Sequence, residues 1–113
     1  MIHSVTPKAG LLATLAGSLA GVPLRLHTFT GQVWVTRRGA MRVLLKAADR
    51  LIALLATHVL VDSISQRDFL VSQSITLESK TTVLGHGSIS GVDIARFRLN
   101  PPVRKRLRES LGI

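Results

Sequence analysis

The feature that most limits the fold is a regular alternation of short aliphatic or β-branched runs with longer segments of helical period. Strand-like runs occupy 2–5, 24–29, 59–61 and 81–84, and helices are predicted between them at 8–20, 37–56 and 65–74. Strands that alternate with helices build parallel sheets, so this order predicts an α/β fold with a small parallel sheet of about four strands flanked by helices. The 113 residues suffice for one domain, and no linker divides them.

Local signals indicate where the helices begin and end. Thr6 before Pro7 suits the start of the first helix, and Gly21 suits its end. Ser65 with Asp68 three residues later predicts a capping-box start for the third helix. A last helix is predicted to begin after Asn100-Pro101 and to end at Gly112.

The first two helices differ in pattern. The uncharged run 9–22 is too short to span a bilayer, and we predict a buried helix there rather than a signal peptide. A face of small residues that includes Gly17 would let this helix lie close to a sheet. The second helix has an apolar face, and a basic stripe whose residues are spaced by four. The stripe consists of Arg38, Arg42, Lys46 and Arg50, and the face of Met41, Leu44, Leu45, Ala48, Leu51, Ile52 and Leu55. The stripe is either a solvated surface or a membrane-facing contact for anionic lipid head groups.

Charge and composition limit the partners. Fifteen Lys and Arg against six Asp and Glu give a formal net charge of +9, which favours partners that carry phosphate. Aromatic residues make up only 4% and no RNA-recognition or helix-turn-helix pattern is present, so nucleic acid is not the expected partner.

The absence of cysteine excludes disulfides, thiol catalysis and cysteine-ligated zinc. The four histidines lack metal-ligand spacing, so we expect no metal and no cofactor.

Four segments follow predicted strands, where ligands bind in open α/β sheets. They are 3–8, 27–32, 62–65 and 85–93. His27 could there donate a hydrogen bond or exchange a proton near neutral pH, or it could be a structural histidine. The glycine-rich loop could hold an anion on its backbone amides or be a plain connection, and it matches no P-loop pattern. Trp34 could stack on a sugar, although a core position is the preferred interpretation.

These residues together resemble a known family. Val83-Leu84-Gly85-His86-Gly87-Ser88, then Gly91-Val92-Asp93 and Arg96-Phe97, resemble a segment of glycosyltransferase family 4. Upstream segments agree in order: Thr6-Pro7-Lys8-Ala9-Gly10, the run from Leu26 to Gln32, and the run from Val59 to Ser65. The likeness covers nearly the whole chain. Ser90 departs from the pattern, which often has asparagine there.

The resemblance implies a GT-B fold, in which two Rossmann-like domains face each other across a cleft. It also implies a retaining sugar transfer from a nucleotide-sugar donor, generally without a catalytic metal. Residues 1–113 would form a single partial Rossmann-like domain, the second half of the N-terminal, acceptor-side domain. Residues 96–113 would lead towards an absent donor domain, so the chain is expected to be inactive alone.

The resemblance also suggests roles for particular residues. His27 is the expected catalytic residue. The expected acceptor-binding residues are Lys8, Thr28, Gly31 and Gln32. The expected interdomain cleft loop contains Gly85, His86, Gly87, Ser88, Gly91 and Asp93.

The expected partners are a nucleotide sugar and a glycan or lipid-linked acceptor, used by the full enzyme to build a surface polysaccharide. The enzyme would be cytoplasmic and peripheral to the inner face of the membrane, whose anionic surface suits the basic stripe. Exposed strand edges could allow homo-oligomers. The alternatives are a non-enzymatic basic module that binds anionic membrane or nucleic acid, and an inactive truncated gene product.

Overall fold

The computed structural model of the chain describes residues 1–85, 87 and 92–113. Its strands are β1 (Ile2–Ser4), β2 (Arg25–Phe29), β3 (His58–Val61) and β4 (Thr81–Val83). Its α-helices are α1 (Pro7–Leu19), α2 (Gly39–Leu55), α3 (Ile64–Ser72) and α4 (Pro101–Leu111), and short 3-10 helices lie at Val33–Thr36 and Glu78–Lys80. Element types and order agree with the sequence prediction.

The four strands form one parallel sheet in the order β1-β2-β3-β4. Ser4 pairs with His27, His27 pairs with Val59, and Val59 pairs with Thr81, so these residues point to one face. The predicted α/β class with a small parallel sheet flanked by helices is confirmed. The arrangement matches part of a Rossmann-like domain.

Helices α1, α2 and α3 lie on the same face of this sheet. Every connection advances by one strand in the same direction, and right-handed crossovers then place each helix on one side. The core lies between this face and the helices. It contains Phe29, Val59 and Val61 from the strands, Ile52, Ala53 and Leu70 from the helices, and Trp34, Ala56 and Ile75 from the connections.

Glycine allows α1 to lie close to the sheet. Gly10 and Gly17 are both buried on its inner side. A Cβ on Gly10 would overlap the His27 ring, and one on Gly17 would lie 2.7 Å from Cδ1 of Ile2. Small residues therefore face the sheet along α1.

The close approach confirms the prediction that small residues let this helix lie close to the sheet, but the prediction that the run 9–22 is buried on most sides is wrong. The inner side of α1 buries Gly10, Thr14 and Gly17, whereas Leu12, Leu15 and Leu19 are exposed. Glycine and threonine bring the backbone of α1 so close to the strands that no room is left for leucine on the inner side. The leucines therefore point away from the sheet. No helix of the described residues is both long and apolar enough to cross a membrane.

The predicted cap of the third helix is wrong. Helix α3 is capped by Ser63, whose Oγ accepts from the Gln66 N–H at 3.1 Å, and not by Ser65. The predicted apolar face of α2 is covered along one edge only: Ile52 is buried, Leu45, Ala48 and Leu55 are half-buried, and Met41, Leu44 and Leu51 are exposed. The sheet instead packs against the side that carries Asp49, Ile52 and Ala53.

Helix α4 confirms its predicted ends. Asn100 Oδ1 accepts from the Val103 N–H at 3.2 Å, and Gly112 ends the helix with a φ of +69°. No residue of α4 is buried, and its side chains Val103, Leu107 and Leu111 are exposed. This helix therefore contributes nothing to the core.

Candidate functional site

The candidate site lies along the carboxyl edge of the sheet. Since all four strands are parallel, the segments that follow them meet at this one edge. The described parts of all four segments predicted from the sequence follow strand ends. What these residues can do depends on how each side chain is held.

His27 is held in a buried polar cluster under α1. It is 1% exposed, and its Nδ1 shares a 2.9 Å hydrogen bond with Oγ of Ser4. The ring of Phe29 meets it edge-on at a centroid distance of 4.6 Å. The absent side chain of Gly10 leaves the space that the imidazole fills. Strand pairing, helix packing and a hydrogen bond therefore together fix the orientation of His27.

Burial changes the acid–base chemistry of this ring. It disfavours the charged imidazolium, and the neighbouring His3 adds repulsion, so the pKa of His27 falls to about 4. The imidazole is neutral at neutral pH. Of the alternatives that the sequence left open for His27, a hydrogen-bonding or structural role suits this environment better than proton exchange near neutral pH.

Thr28 points to the opposite face of the sheet from His27 and is also buried. Its Oγ1 shares a 2.8 Å hydrogen bond with Nε2 of His3. The end of β2 is thus tied to β1 on both faces, by His3 on one and by Ser4 on the other. These two hydrogen bonds therefore fix the side-chain orientations of both His27 and Thr28.

The other predicted acceptor-binding residues surround the end of β2 and the start of α1. Lys8 and Gly31 are exposed. Gln32 is half-buried, and its Nε2 has no hydrogen-bond partner in the described part of the chain. A cavity of about 370 Å³ lies beside the first turn of α1 and is lined by Thr6, Pro7, Lys8, Val33, Trp34, Leu45, Ala48 and Asp49.

Trp34 forms the floor of this region rather than an exposed sugar platform. Its Nε1 donates to Oδ2 of Asp49 at 2.8 Å, and its ring stacks on Phe69 at a centroid distance of 5.6 Å. It is 1% exposed, which confirms the preferred core interpretation. Burial raises the pKa of Asp49, although the Trp34 hydrogen bond opposes that shift.

The loop after β4 packs against the connection between β3 and α3. Gly87 has a φ of +83°, and a Cβ there would lie 2.9 Å from the Asp62 carbonyl oxygen. Any side chain at this position would be strained and crowded. Asp62 Oδ1 is buried and has no hydrogen-bond partner among residues 1–85, 87 and 92–113.

Of the remaining residues of the predicted cleft loop, the structure describes Gly85 and Asp93. Gly85 is exposed with a φ of +56°. Asp93 is exposed, and its Oδ1 accepts from the N–H groups of Ala95 and Arg96. His86, Ser88 and Gly91 lie outside the described residues. The anion cradle predicted for this loop therefore stays a prediction.

The basic stripe of α2 mostly makes contacts within the chain. Lys46 Nζ donates to Oε1 of Gln73 at 2.9 Å, and Arg50 donates to the carbonyls of Ser74 and Gln73. Arg42 and Lys46 lie over the Trp34 ring at 5.7 and 5.2 Å. The stripe faces the end of α3, and its membrane contact stays a prediction.

Three residues hold the site in roles that the sequence did not predict, although His3 and Ser4 belong to the predicted segment 3–8. Ser4 and Gly10 orient His27, and His3 bonds to Thr28. Gly10 left a signal, since glycine inside a helix is costly and indicates a close approach. The position of His3 and Ser4 after a strand indicated the candidate site, but their partners lie more than twenty residues away in sequence and could not be predicted.

One curated protein provides a comparison. The chain is 31% identical over 100 residues to the capsular polysaccharide biosynthesis glycosyltransferase CapM of Staphylococcus aureus. The match covers 88% of this chain and 26% of the relative, so the chain spans about a quarter of the length of the protein that it matches. No protein-family model matches the sequence. The similarity supports a relationship to a glycosyltransferase of polysaccharide biosynthesis.

Proposed function

We propose that this chain forms part of the acceptor-side domain of a retaining glycosyltransferase of family 4 with a GT-B fold. The enzyme transfers a sugar from a nucleotide-sugar donor to a polysaccharide or lipid-linked acceptor. Residues 96–113 lead towards a donor domain, which holds the nucleotide and stabilises the departing diphosphate. The segment alone does not complete the transfer.

The similarity to the capsular glycosyltransferase carries this proposal. A match that covers 88% of the chain necessarily includes the carboxyl ends of β2, β3 and β4. These strand ends are where an α/β sheet binds its ligands. The same observation does not favour the alternative of a basic module without enzymatic activity.

In this proposal His27 has the catalytic role that the resemblance implies, and because it is 1% exposed it exerts that role by holding the end of β2 in position beside the reacting sugar. A pKa of about 4 keeps the ring neutral at neutral pH, and Ser4 occupies its Nδ1. Lys8, which lines the 370 Å³ cavity, and Gln32, whose Nε2 has no partner among the described residues, then hold acceptor hydroxyls or phosphate. Thr28 and Gly31 shape the same edge, and the loop that contains Gly85 and Gly87 faces the interdomain cleft.

The proposed place of work is the inner face of the cytoplasmic membrane, where a lipid-linked acceptor would be anchored. The net charge of +9 supports this placement, because the headgroups of such a membrane are anionic. Association between copies through the free edges of β1 and β4 also stays a proposal.

The test uses the intact reading frame that contains this segment. The encoded protein is assayed with a panel of nucleotide sugars and membrane-extracted acceptor lipid. His27→Gln keeps a hydrogen-bonding side chain but changes its geometry, and we expect kcat to fall at least 100-fold.

His58→Gln is the matched control, since His58 is exposed at the first residue of β3, away from the carboxyl edge. It should leave kcat within a factor of two. Equal activity of the His27→Gln protein, with the fold checked by circular dichroism, would refute the catalytic role. Stop codons directly flanking the segment would refute the proposed enzyme.

A further inference from the structure

Two buried polar atoms at the carboxyl edge of the sheet have no hydrogen-bond partner. They are Nε2 of Gln32 and Oδ1 of Asp62, and they are the two such side-chain atoms found in residues 1–85, 87 and 92–113. Gln32 lies shortly after β2, and Asp62 directly follows β3. A buried polar atom without a partner is uncommon and costly in free energy, so two of them at one edge require an explanation.

The two residues leave neighbouring strands and have complementary chemistry. β2 and β3 pair up to their last residues, Phe29 and Val61, and parallel neighbours lie about 4.8 Å apart. The Gln32 amide nitrogen is a donor, whereas the Asp62 carboxylate oxygen is an acceptor. The two atoms do not bond to each other. A ligand that satisfies both must therefore accept from one and donate to the other.

The backbone of Asp62 is fixed from two sides. Its N–H donates to Oε1 of Gln66 in α3 at 2.8 Å. On the other side, the loop after β4 approaches so closely that a Cβ on Gly87 would lie 2.9 Å from the Asp62 carbonyl oxygen. The carboxylate is therefore presented by a rigid support, which lowers the entropic cost of binding a ligand.

The backbone of Gln32 is held in a similar way. Its carbonyl accepts from the Val35 N–H at 3.2 Å, in the short 3-10 helix that begins at Val33. The same helix contains Trp34, whose ring is buried in the core. Because the core anchors this segment, the amide group is also presented from a fixed backbone.

We propose that Asp62 and Gln32 bind hydroxyl groups of a sugar, with Asp62 accepting and Gln32 donating. A hydroxyl group both donates and accepts, so a polyhydroxylated neutral ligand satisfies the two atoms together. A phosphate or carboxylate has only acceptors and would be repelled by Asp62, and an ammonium group would leave Gln32 without an acceptor.

This inference rests on the proposed function in assigning the sugar to the acceptor of the transfer. The resemblance named Gln32 but not Asp62, so Asp62 is a further specificity residue. Hydrogen bonds to a carboxylate are roughly twice as strong as those between neutral groups. A site that hydrogen-bonds a hydroxyl also rejects analogues that lack it, because its own polar groups are then left unpaired.

The first experiment is saturation-transfer NMR of the full chain with the methyl glycosides of glucose, galactose and N-acetylglucosamine. At least one should bind, and Asp62→Asn and Gln32→Glu should each weaken binding at least tenfold, because each removes one of the two complementary groups. The double variant exchanges donor and acceptor, and a hydroxyl can rotate to suit them. It should therefore bind more tightly than either single variant.

Asp68→Asn is the matched control, since Asp68 is exposed in α3 and pairs only with Arg67 at 3.1 Å among the described residues. It should bind glycosides like the parent. A chain that binds none of the three glycosides would overturn the proposal. Unchanged binding by both single variants would also overturn it, and would assign the two atoms to a structural water instead.

Denaturation of the chain separates a binding role from a structural one. Asp62→Asn should not lower the denaturation midpoint, because Oδ1 of Asp62 has no internal hydrogen bond to lose. A clearly lower midpoint would show that the carboxylate holds the fold, which would contradict the proposal.

The intact protein gives the final measurement. Asp62→Asn should raise KM for the acceptor at least tenfold, with kcat within threefold of the parent and KM for the nucleotide sugar unchanged. A rise in KM for the nucleotide sugar alone would overturn the assignment to the acceptor. A protein that binds a glycoside through Asp62 but transfers no sugar would refute the proposed enzyme and leave the sugar site intact.

Discussion

Helix α1 reverses the arrangement of an ordinary surface helix: its small residues face the sheet and its large apolar residues face outward. The inner side carries Gly10, Thr14 and Gly17 against β1 and β2, while Leu12 and Leu19 point outward. An ordinary amphipathic helix buries its large apolar residues and exposes polar ones. Here the inner side is made for close approach, because His27 and the stem of Arg25 already occupy the space beneath it.

The residues of α1 that are buried are therefore not its most hydrophobic ones. The inner side packs closely around the buried His27, whereas the apolar side chains of the outer side stay exposed after folding. A substitution on the inner side should therefore affect stability, and one on the outer side should affect association. Three predictions test this division, from the largest expected effect on stability to the smallest.

Gly10→Ala should destabilise the chain by about 3 kcal/mol, the upper part of the range for overpacking a tight interior. The added Cβ would overlap Cε1 of His27 and lie 2.8 Å from its Nδ1, and Ser4 and Phe29 hold the ring in place. Chemical denaturation gives the measurement. Gly31→Ala is the control, because a Cβ there meets nothing within 4 Å, and it should change stability little. Equal stability of the two variants would contradict the proposed close approach.

The buried His27 should make stability depend on pH between about 4 and 6.5. In this window the unfolded imidazole binds a proton while the folded one, with its pKa near 4, does not. Stability is therefore fully present above pH 6.5 and is lost as the pH falls towards 4, by on the order of 3 kcal/mol.

His27→Gln should remove this dependence, as measured by denaturant unfolding at several pH values. The difference between parent and variant isolates the histidine, because Asp49 is present in both. The raised pKa of Asp49 acts in the opposite sense, since its contribution to stability falls as the pH rises above 3.8. A parent and variant with parallel pH profiles would show that His27 is not buried as described.

Leu19→Ser, on the outer side of α1, should change the free energy of unfolding by no more than about 0.5 kcal/mol, because exposed positions outside special contacts have small effects. Thermal or chemical denaturation checks it. A loss of several kcal/mol would show that α1 buries its leucines within the chain, and the contrast between the two sides would then fail.

The fold was largely predictable, since strand and helix periods alternate and glycine, proline and asparagine mark several ends. Gly21 and Asn100 end and begin their helices as predicted, and Gly21 has a positive φ of +66°. Thr6 takes the N-cap position of α1, but its side chain makes no capping hydrogen bond. The cap of α3 was misplaced by two residues. Ser63 and Ser65 both have a polar residue three positions later, and only the observed bond to Gln66 N–H distinguishes them.

The candidate site was predictable in location but not in chemistry. His27 was identified because it ends a strand, and parallel strands share their carboxyl edge. Its environment depends on Ser4, Gly10 and His3, and each of these contacts joins distant parts of the chain. The shift of its pKa to about 4 follows from that burial, which a sequence pattern does not report.

The sequence by itself determined the order of elements, the α/β class and the net positive charge, because these follow from local periodicity and composition. The small residues of α1 also indicated its close approach to the sheet. Only the tertiary structure decided that the leucines of α1 stay exposed and that Lys46 and Arg50 turn towards α3. The physical reason is that packing selects the side that fits its neighbours most closely, and shape complementarity depends on residues far apart in the chain.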